Sequence, residues 1–510
     1  VKALSLTKAE DAPRWHVILA AFGAGLVLAL GHAPYNLPWG AIVAVPVLLR
    51  LLTVAPTPRI AALRGWMAGC GYFGLSLTWI VEPFLVDIAR HGWMAPFAIV
   101  LLAGGLALFW GLGFFLAAIA SRRAGLVGKA LALALGLTLA EYLRSTMLTG
   151  FPWALFAYTF VETPLAQWAA YVGPHGLGGA MLLCLGLLGT ARPLSVAMGG
   201  ACLAALWVGG AARVPDAPSD TGPVLRLVQP NAPQHLKWQP EMLPVFYARL
   251  IDATAAPAEG SVNAVIWPET AVPFLLGERP DLAADIALAA SGKTPVILGA
   301  RRLDAQGNWF NSLAAYGADG AELARYDKHH LVPFGEYIPL TGVLEALGLS
   351  RLAEGLAGGF RPGTGAERLT LDGLPPFQPL ICYEAIFPHE ILRGAKRPDW
   401  LLHITNDAWF GTWSGPYQHL VQAQMRAIEH GLPLARAANT GVSAMIDPFG
   451  RITASLPLGE AGFVDATLPV GLPPTPYAQT PDWLVPLLAA LALVAAGVRN
   501  RMIAGSERRW

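Results

Sequence analysis

The sequence predicts two structural classes in one chain: a polytopic α-helical membrane bundle of eight spans and a water-soluble α/β domain. Three observations point there. Only 14% of the 510 residues are charged and the mean hydropathy is +0.47, whereas a soluble globular protein is about 25% charged. The charges are also unevenly spread, with 13 charged side chains in residues 15–212 against 44 in residues 214–475. Within the charge-rich part, short β-rich runs alternate with helical patterns, which argues for a layered α/β fold. The expected borders are therefore 1–213 for a seven-span bundle, 214–475 for the soluble domain, and 476–510 for an eighth span with a basic tail.

Seven apolar runs precede the soluble part, near 16–31, 39–54, 63–81, 93–120, 126–143, 166–190 and 193–211, and an eighth lies near 483–498. A bilayer is crossed by roughly 20 mainly apolar residues in a helix. The first run follows Lys2, Lys8 and Arg14 and ends at Ala29-Leu30-Gly31, which would also suit a signal peptide. Its length favours an uncleaved helix. Basic residues of short loops favour the cytoplasmic side. One side of the eight-span arrangement collects 14 of them, from Lys2 to Arg509, and the other side's short loops hold only Arg90 and Arg144. That asymmetry places both termini in the cytoplasm and the soluble domain in the periplasm of a bacterial inner membrane. Glu141 and Arg144, three apart at the end of the fifth run, read as an ion pair at the interface or as a functional pair.

The soluble domain reads as strands VLRLVQ (224–229), AVIWPE (264–269), PVILGAR (295–301), a hairpin over 311–326, PLICYE (379–384), LLHITND (401–407) and SAMIDPFGRI (443–452). Helical patterns cover 241–253, 281–290, 387–393 and 416–430. The net charge of +1 offers no basic field for nucleic acid. Four Cys are too few for a disulfide framework, and no phosphate loop or metal-ligand cluster is visible, so neither cofactor nor metal is expected.

In α/β sheets, reactive groups gather at the carboxyl ends of the strands. Glu269 ends the run AVIWP and reads as a catalytic carboxylate or a helix cap. Cys382 follows PLI and precedes a helical stretch, where a helix N-terminus would lower its pKa. Cys70, Cys184 and Cys202 all fall in apolar runs, so Cys382 is the one thiol of a domain expected in an oxidising compartment. An unpaired thiol kept there suggests chemistry rather than packing. Lys328, in YDKHHL, reads as an exposed lysine or as the cation facing a thiolate and an oxyanion. The adjacent His329 and His330 offer a rival base for a Cys–His arrangement.

The order of Glu269 in VIWPET, Lys328 in YDKHHLVPFGEYIP and Cys382 in ICYE resembles the nitrilase superfamily, with its αββα sandwich and Glu-Lys-Cys triad. With the eight runs, GFPWALFAYTF (150–160), the LKW motif ending at Trp238 and TNDAWFG (405–411), the chain resembles that superfamily's membrane-embedded apolipoprotein N-acyltransferase branch. The resemblance implies Glu269 as general base, Cys382 as nucleophile and Lys328 as the group that stabilises the tetrahedral intermediate. It carries further roles to Glu336 and Glu384, which would position Lys328, and to Tyr383 and Trp238, which would line the acyl or headgroup pocket.

The implied reaction is ping-pong transfer of the sn-1 acyl chain of a phospholipid, phosphatidylethanolamine in the family, to the α-amine of a diacylglyceryl apolipoprotein. Two alternatives stand beside it: a membrane-tethered amidase acting on small amides, and a transporter with a regulatory soluble domain. The segment 332–365 is rich in Gly and Pro yet carries Leu344, Leu347, Leu349, Leu352 and Leu356. It is expected to form a lid that dips to the membrane surface.

Overall fold

Eight long helices coincide with the eight apolar runs in the computed structural model, which describes residues 14–216, 222–275, 279–339 and 359–507. They are Arg14–Ala29, Ala41–Thr53, Pro58–Ser76, Ala95–Ala120, Leu126–Thr146, Ala169–Leu188, Pro193–Arg213 and Leu484–Glu507. Four apolar stretches, Ile88–Ala120, Leu126–Thr146, Pro164–Leu188 and Pro193–Arg213, are long and apolar enough to cross a membrane. Trp15–Ala29, Pro38–Thr53 and Leu484–Asn500 are apolar but shorter. The chain divides into two units, Val1–Val214 with Thr480–Trp510, and Pro215–Gln479.

The helical unit packs through small residues. A Cβ on Gly136 would come within 2.4 Å of the Gly113 carbonyl oxygen, and one on Gly113 within 2.7 Å of the Gly136 oxygen. Helices Ala95–Ala120 and Leu126–Thr146 therefore touch backbone to backbone, the close approach that small residues permit where water supplies no driving force. Glu141 and Arg144 are buried in this unit rather than lying at its edge. Their 2.6 Å ion pair is joined by Trp110 Nε1, which donates to Glu141 at 2.6 Å. Arg144 also donates to the Trp153 carbonyl at 2.8 Å, which ties the GFPW segment to the pair.

The second unit holds two sheets. Strands β1 (Val224–Gln229), β2 (Ala264–Ile266), β3 (Val296–Leu303), β4 (Trp309–Tyr316), β5 (Glu322–Asp327) and β11 (Gly462–Thr467) form one, in the order β11-β1-β2-β3-β4-β5. Strands β6 (Phe377–Ile381), β7 (Trp400–Thr405), β8 (Leu434–Ala438), β9 (Ser443–Ile446) and β10 (Ile452–Leu456) form the other, in the order β10-β9-β8-β7-β6. The triplets β1-β2-β3 and β6-β7-β8 are parallel. Strands β6, β7 and β8 are buried along their whole length, which explains their near-continuous apolar runs.

Helices Leu243–Ala255 and Pro280–Ala289 cover the first sheet, burying Leu250, Ala253 and Ile286 against Val228, Val265, Trp267 and Leu298. Helix Gly415–His430 covers the second, with Leu420, Ala423 and Ala427 on Leu380, Leu401, Leu434 and Ile446. The sheets meet through their other faces, as where Gln229 of β1 accepts from the Ser443 hydroxyl of β9 at 2.6 Å. Two sheets face to face with helices on their outer faces make the αββα sandwich that the sequence leads one to expect.

The helix expected over 387–393 does not form. Pro388 opens a three-residue 3-10 turn ending at Glu390, and a second such turn, Cys382–Ile386, occupies the segment before it. Of the segment expected as a lid, residues 340–358, with all five of its leucines, lie outside the described residues.

Candidate active site

Three strand ends converge. Glu269 follows β2 by three residues, Lys328 follows β5 directly and Cys382 follows β6 directly. The Glu269 turn is seated on β3 at Gly299, where a Cβ would lie 2.6 Å from the Glu269 Cα. No other residue type leaves room for that backbone approach.

Glu269 is buried. Its Oε1 accepts from Asn311 Nδ2 at 2.7 Å and lies 3.6 Å from Lys328 Nζ, while its Oε2 accepts from the Asn406 main-chain N–H at 2.9 Å. The Lys328 ammonium also sits 2.9 Å from Glu336 Oε2 and 3.0 Å from Glu336 Oε1. Asn311 Nδ2 donates to Glu336 Oε1 as well, at 2.9 Å, so one amide bridges the two carboxylates that flank Lys328. Burial disfavours the ammonium, but Glu336, Glu269 and Cys382 outweigh it and hold the Lys328 pKa above the ordinary lysine value.

Cys382 is 5% exposed and its backbone is left-handed, with φ 51°, a conformation that costs a non-glycine residue on the order of 1–3 kcal/mol and persists only when the surroundings impose it. Burial pushes its thiol pKa up and Glu269 adds to the rise, against a smaller opposing pull from Lys328. This reverses the expectation of a thiol activated by a helix N-terminus. Cys382 opens a 3-10 turn of only five residues, too short for an appreciable dipole, and its side chain is buried.

The strained turn is held from beneath. The Cys382 carbonyl lies 3.1 Å from His403 Nε2 and 3.2 Å from His419 Nε2. Arg436 Nη1 meets His403 Nδ1 at 2.7 Å, and since a guanidinium only donates, His403 carries its proton on Nε2 and donates to Cys382. Asp407 joins the set, accepting from Arg436 Nη2 and Thr405 Oγ1 at 2.9 Å, with His419 Nδ1 at 2.9 Å. His403 and Arg436 are register partners on neighbouring strands, and His419 comes from the covering helix.

The other expected site residues divide between the triad and its surroundings. Glu384 is fully buried and does not touch the Lys328 ammonium. Its Oε1 instead accepts from the His329 N–H at 2.8 Å and the Tyr326 hydroxyl at 2.7 Å, and its Oε2 from the Ile381 N–H at 2.7 Å. It thus ties the Cys382 strand end to the backbone beside Lys328. Tyr383 is buried against His330 and Phe387, whereas Trp238 is 40% exposed. His329 and His330 turn toward Glu384 and Glu390, which leaves Glu269 as the base candidate directed at the triad. Asn311, Asn406, Asp407, His403, His419 and Arg436 belong to the site without having been expected from residue order. A histidine inside the apolar run LLHIT and an asparagine inside the strand WFNSLAAY are the signals that sequence offers for them.

Comparisons with known proteins bear on the family of the chain. Residues 24–187 match the Apolipoprotein N-acyltransferase N-terminal domain family, and residues 225–472 match the Carbon-nitrogen hydrolase family. A protein of Rhodopseudomonas palustris named apolipoprotein N-acyltransferase is 40% identical over 520 residues, covering 96% of each chain. One of the same name from Caulobacter vibrioides is 37% identical, covering 99% of this chain and 98% of its own. Among solved structures, a carbon-nitrogen hydrolase from Helicobacter pylori is similar over 48% of this chain and 89% of its own, with 16% identity and a TM-score of 0.38. The near full-length relationship decides the matter: the chain belongs to the apolipoprotein N-acyltransferase family.

Proposed function

We propose that the chain N-acylates lipoproteins through a thioester on Cys382, with Glu269 as general base and Lys328 as the cation facing the oxyanion. Lipoprotein N-acylation is the activity of the family. The single observation that carries the residue roles is the buried sequence of contacts from Glu336 through Lys328 to Glu269 beside a neutral, strained thiol.

In the first half-reaction, Glu269 takes the Cys382 proton as the sulfur attacks the sn-1 ester carbonyl of a phospholipid, phosphatidylethanolamine by family resemblance. Negative charge develops on the carbonyl oxygen, and Lys328 faces it. Collapse breaks the ester C–O bond, the proton on Glu269 passes to the departing lysophospholipid oxygen, and the acyl chain stays on sulfur. In the second, the α-amine of a diacylglyceryl cysteine attacks the thioester, Glu269 takes the amine proton, and collapse breaks the C–S bond and returns that proton to the thiol. Glu336 and Glu384 position Lys328 and the Cys382 strand end, and Tyr383 and Trp238 line the substrate pocket. The relationship to N-acyltransferases favours an amine acceptor over water, and so over a small-amide hydrolase.

The bundle is read as eight spans, because eight helices coincide with eight apolar runs. The excess of basic residues on one side supports a periplasmic catalytic domain, residues 214–475, with the basic flanks on the cytoplasmic face of a bacterial inner membrane. The test uses the purified chain and a phospholipid carrying a labelled sn-1 chain. Wild type should accumulate a hydroxylamine-labile acyl group when no acceptor is present, and Cys382→Ala should not. Wild type that stays unlabelled would overturn the reading.

A further inference from the structure

Two cations at the edge of the candidate site make no ion pair among the described residues. Lys328 is matched by Glu269 and Glu336, but two further cations lie at its edge. Lys237 is 5% exposed, and its ammonium makes two long hydrogen bonds, 3.4 Å to the Glu269 main-chain oxygen and 3.3 Å to Thr270 Oγ1. Arg301, on β3, forms no ion pair among the described residues, and its Nε is buried without a hydrogen-bond partner. Both cations pack on one partly exposed ring. Lys237 Nζ lies 5.3 Å from the Trp238 centroid and the Arg301 guanidinium carbon 5.2 Å from it.

These two cations repel each other. Burial lowers the Lys237 pKa, and although Glu269 opposes the fall, Arg301 deepens it, to about 8. Among the described residues, Lys237, Arg301 and Lys328 are faced by Glu269 and Glu336, three positive charges against two at the edge of the site. Like charges gathered in a partly desolvated place are costly unless a counter-charge arrives, and here none of the described residues supplies it. A ligand with a single negative charge would. The acyl donor of the proposed reaction carries one, a phosphodiester a few bonds from the sn-1 ester on the same glycerol. An anion read beside Glu269 would therefore bring that ester to the thiol Glu269 serves.

We propose that Lys237 and Arg301, both packed on the Trp238 ring, form the site for the phosphodiester of the acyl donor. The inference rests on the thioester reading above. Inorganic phosphate shares the chemistry, so the experiment separates the two sources. Thioester formation on the full chain in neutral detergent is measured with a diacyl phospholipid and with a diacylglycerol of the same acyl chains, and the ratio of the two second-order rate constants is taken.

Wild type should favour the phospholipid, and Lys237→Met and Arg301→Met should each lower the ratio about tenfold, the scale of one charge-assisted hydrogen bond. Lys237→Arg should hold the ratio near wild type, and Lys237→Gln repeats the test if the methionine variant fails to fold. An unchanged ratio in the charge-removing variants, or a wild type indifferent to the phosphate, would overturn the proposal. So would millimolar inorganic phosphate slowing both donors equally, since the site would then read free anion rather than the lipid. Absence of thioester from both donors would sink the thioester reading and this inference together, whereas thioester with an unchanged ratio sinks this inference alone.

Discussion

Replacing Asp407 with Asn removes one negative charge from a set of side chains that water does not reach. Asp407, His403, His419 and Arg436 are all 0% exposed. Burial alone would raise the Asp407 pKa, but Arg436, His419 and Thr405 overcome it and hold the carboxyl at about 2. With the charge gone, Arg436 keeps His403 Nδ1 and the Val442 carbonyl but loses its counter-ion. Breaking a buried pair in this way costs about 3–5 kcal/mol, out of a total stability of about 5–15 kcal/mol.

For a domain of this size that is a fall in Tm of roughly 6–20 °C, read by thermal unfolding in mild detergent. Removing both charges with Asp407→Leu and Arg436→Met should cost less than the sum of the single changes, with a coupling above about 1 kcal/mol. Because the carboxyl pKa is depressed, its contribution is present above about pH 4 and lost as the pH falls through about 2, so Asp407→Asn should also flatten the acid limb of stability. Thioester formation should fall by about 100-fold, since the Cys382 turn loses part of its support. A variant within about 1 kcal/mol of wild type, or additive single and double changes, would refute the buried ion pair as the prop of the nucleophile.

Two further outcomes are expected. Burial opposes the charge on His329, but hydrogen bonds to Glu384 and Glu390 raise its pKa to about 10. Its stabilising contribution is complete below about pH 6.5 and fades as the pH rises through about 10, so His329→Gln should remove the downward slope of Tm between pH 7 and 10, and a retained slope would count against the pairing. Gly299→Ala would set a Cβ 2.6 Å from the Glu269 Cα and 2.8 Å from the Pro268 oxygen. Backbone rather than side chain must yield, at about 1–3 kcal/mol, and thioester formation should drop at least tenfold, which single-turnover acylation measures directly; an unaltered rate would mean that the Glu269 turn tolerates displacement.

Much of the fold and site is legible in residue order, and the exceptions have physical causes. Glu269 and Cys382 each stand just past an apolar β-rich run and Lys328 just past the polar strand ELARYD, and folding brings those strand ends together. Strand β8, LARAA, escapes a reading by propensity because alanine and arginine are good helix formers. It is a strand because it sits between β7 and β9 with both faces covered. Strand β11 begins with Gly and carries Asp465, poor strand signals, yet Asp465 is held there by a 2.7 Å pair with Arg226. The long-range contacts are the least accessible. Asn311 meets Glu269 across 42 residues and Asn406 meets it across 137, and nothing in local periodicity reports such a meeting.

The direction of the thiol's shift bears on how the two half-reactions share one site. A buried, protonated Cys382 is not a standing nucleophile, so the sulfur becomes reactive only as its proton leaves. Lys328 cannot take that proton, because Glu336 and Glu269 keep it charged. Glu336 is occupied by Lys328, by Asn311 and by the Val332 N–H at 2.8 Å. Among the described residues Glu269 is held by Asn311 and Asn406, with Lys328 more distant at 3.6 Å, and it is the carboxylate that acts most strongly on the Cys382 sulfur. In the proposed mechanism, proton removal is thereby confined to one group and to the moment an ester or amine is in place. Between turnovers the same burial that makes the thiol a poor nucleophile also keeps it from the oxidation that a standing thiolate invites.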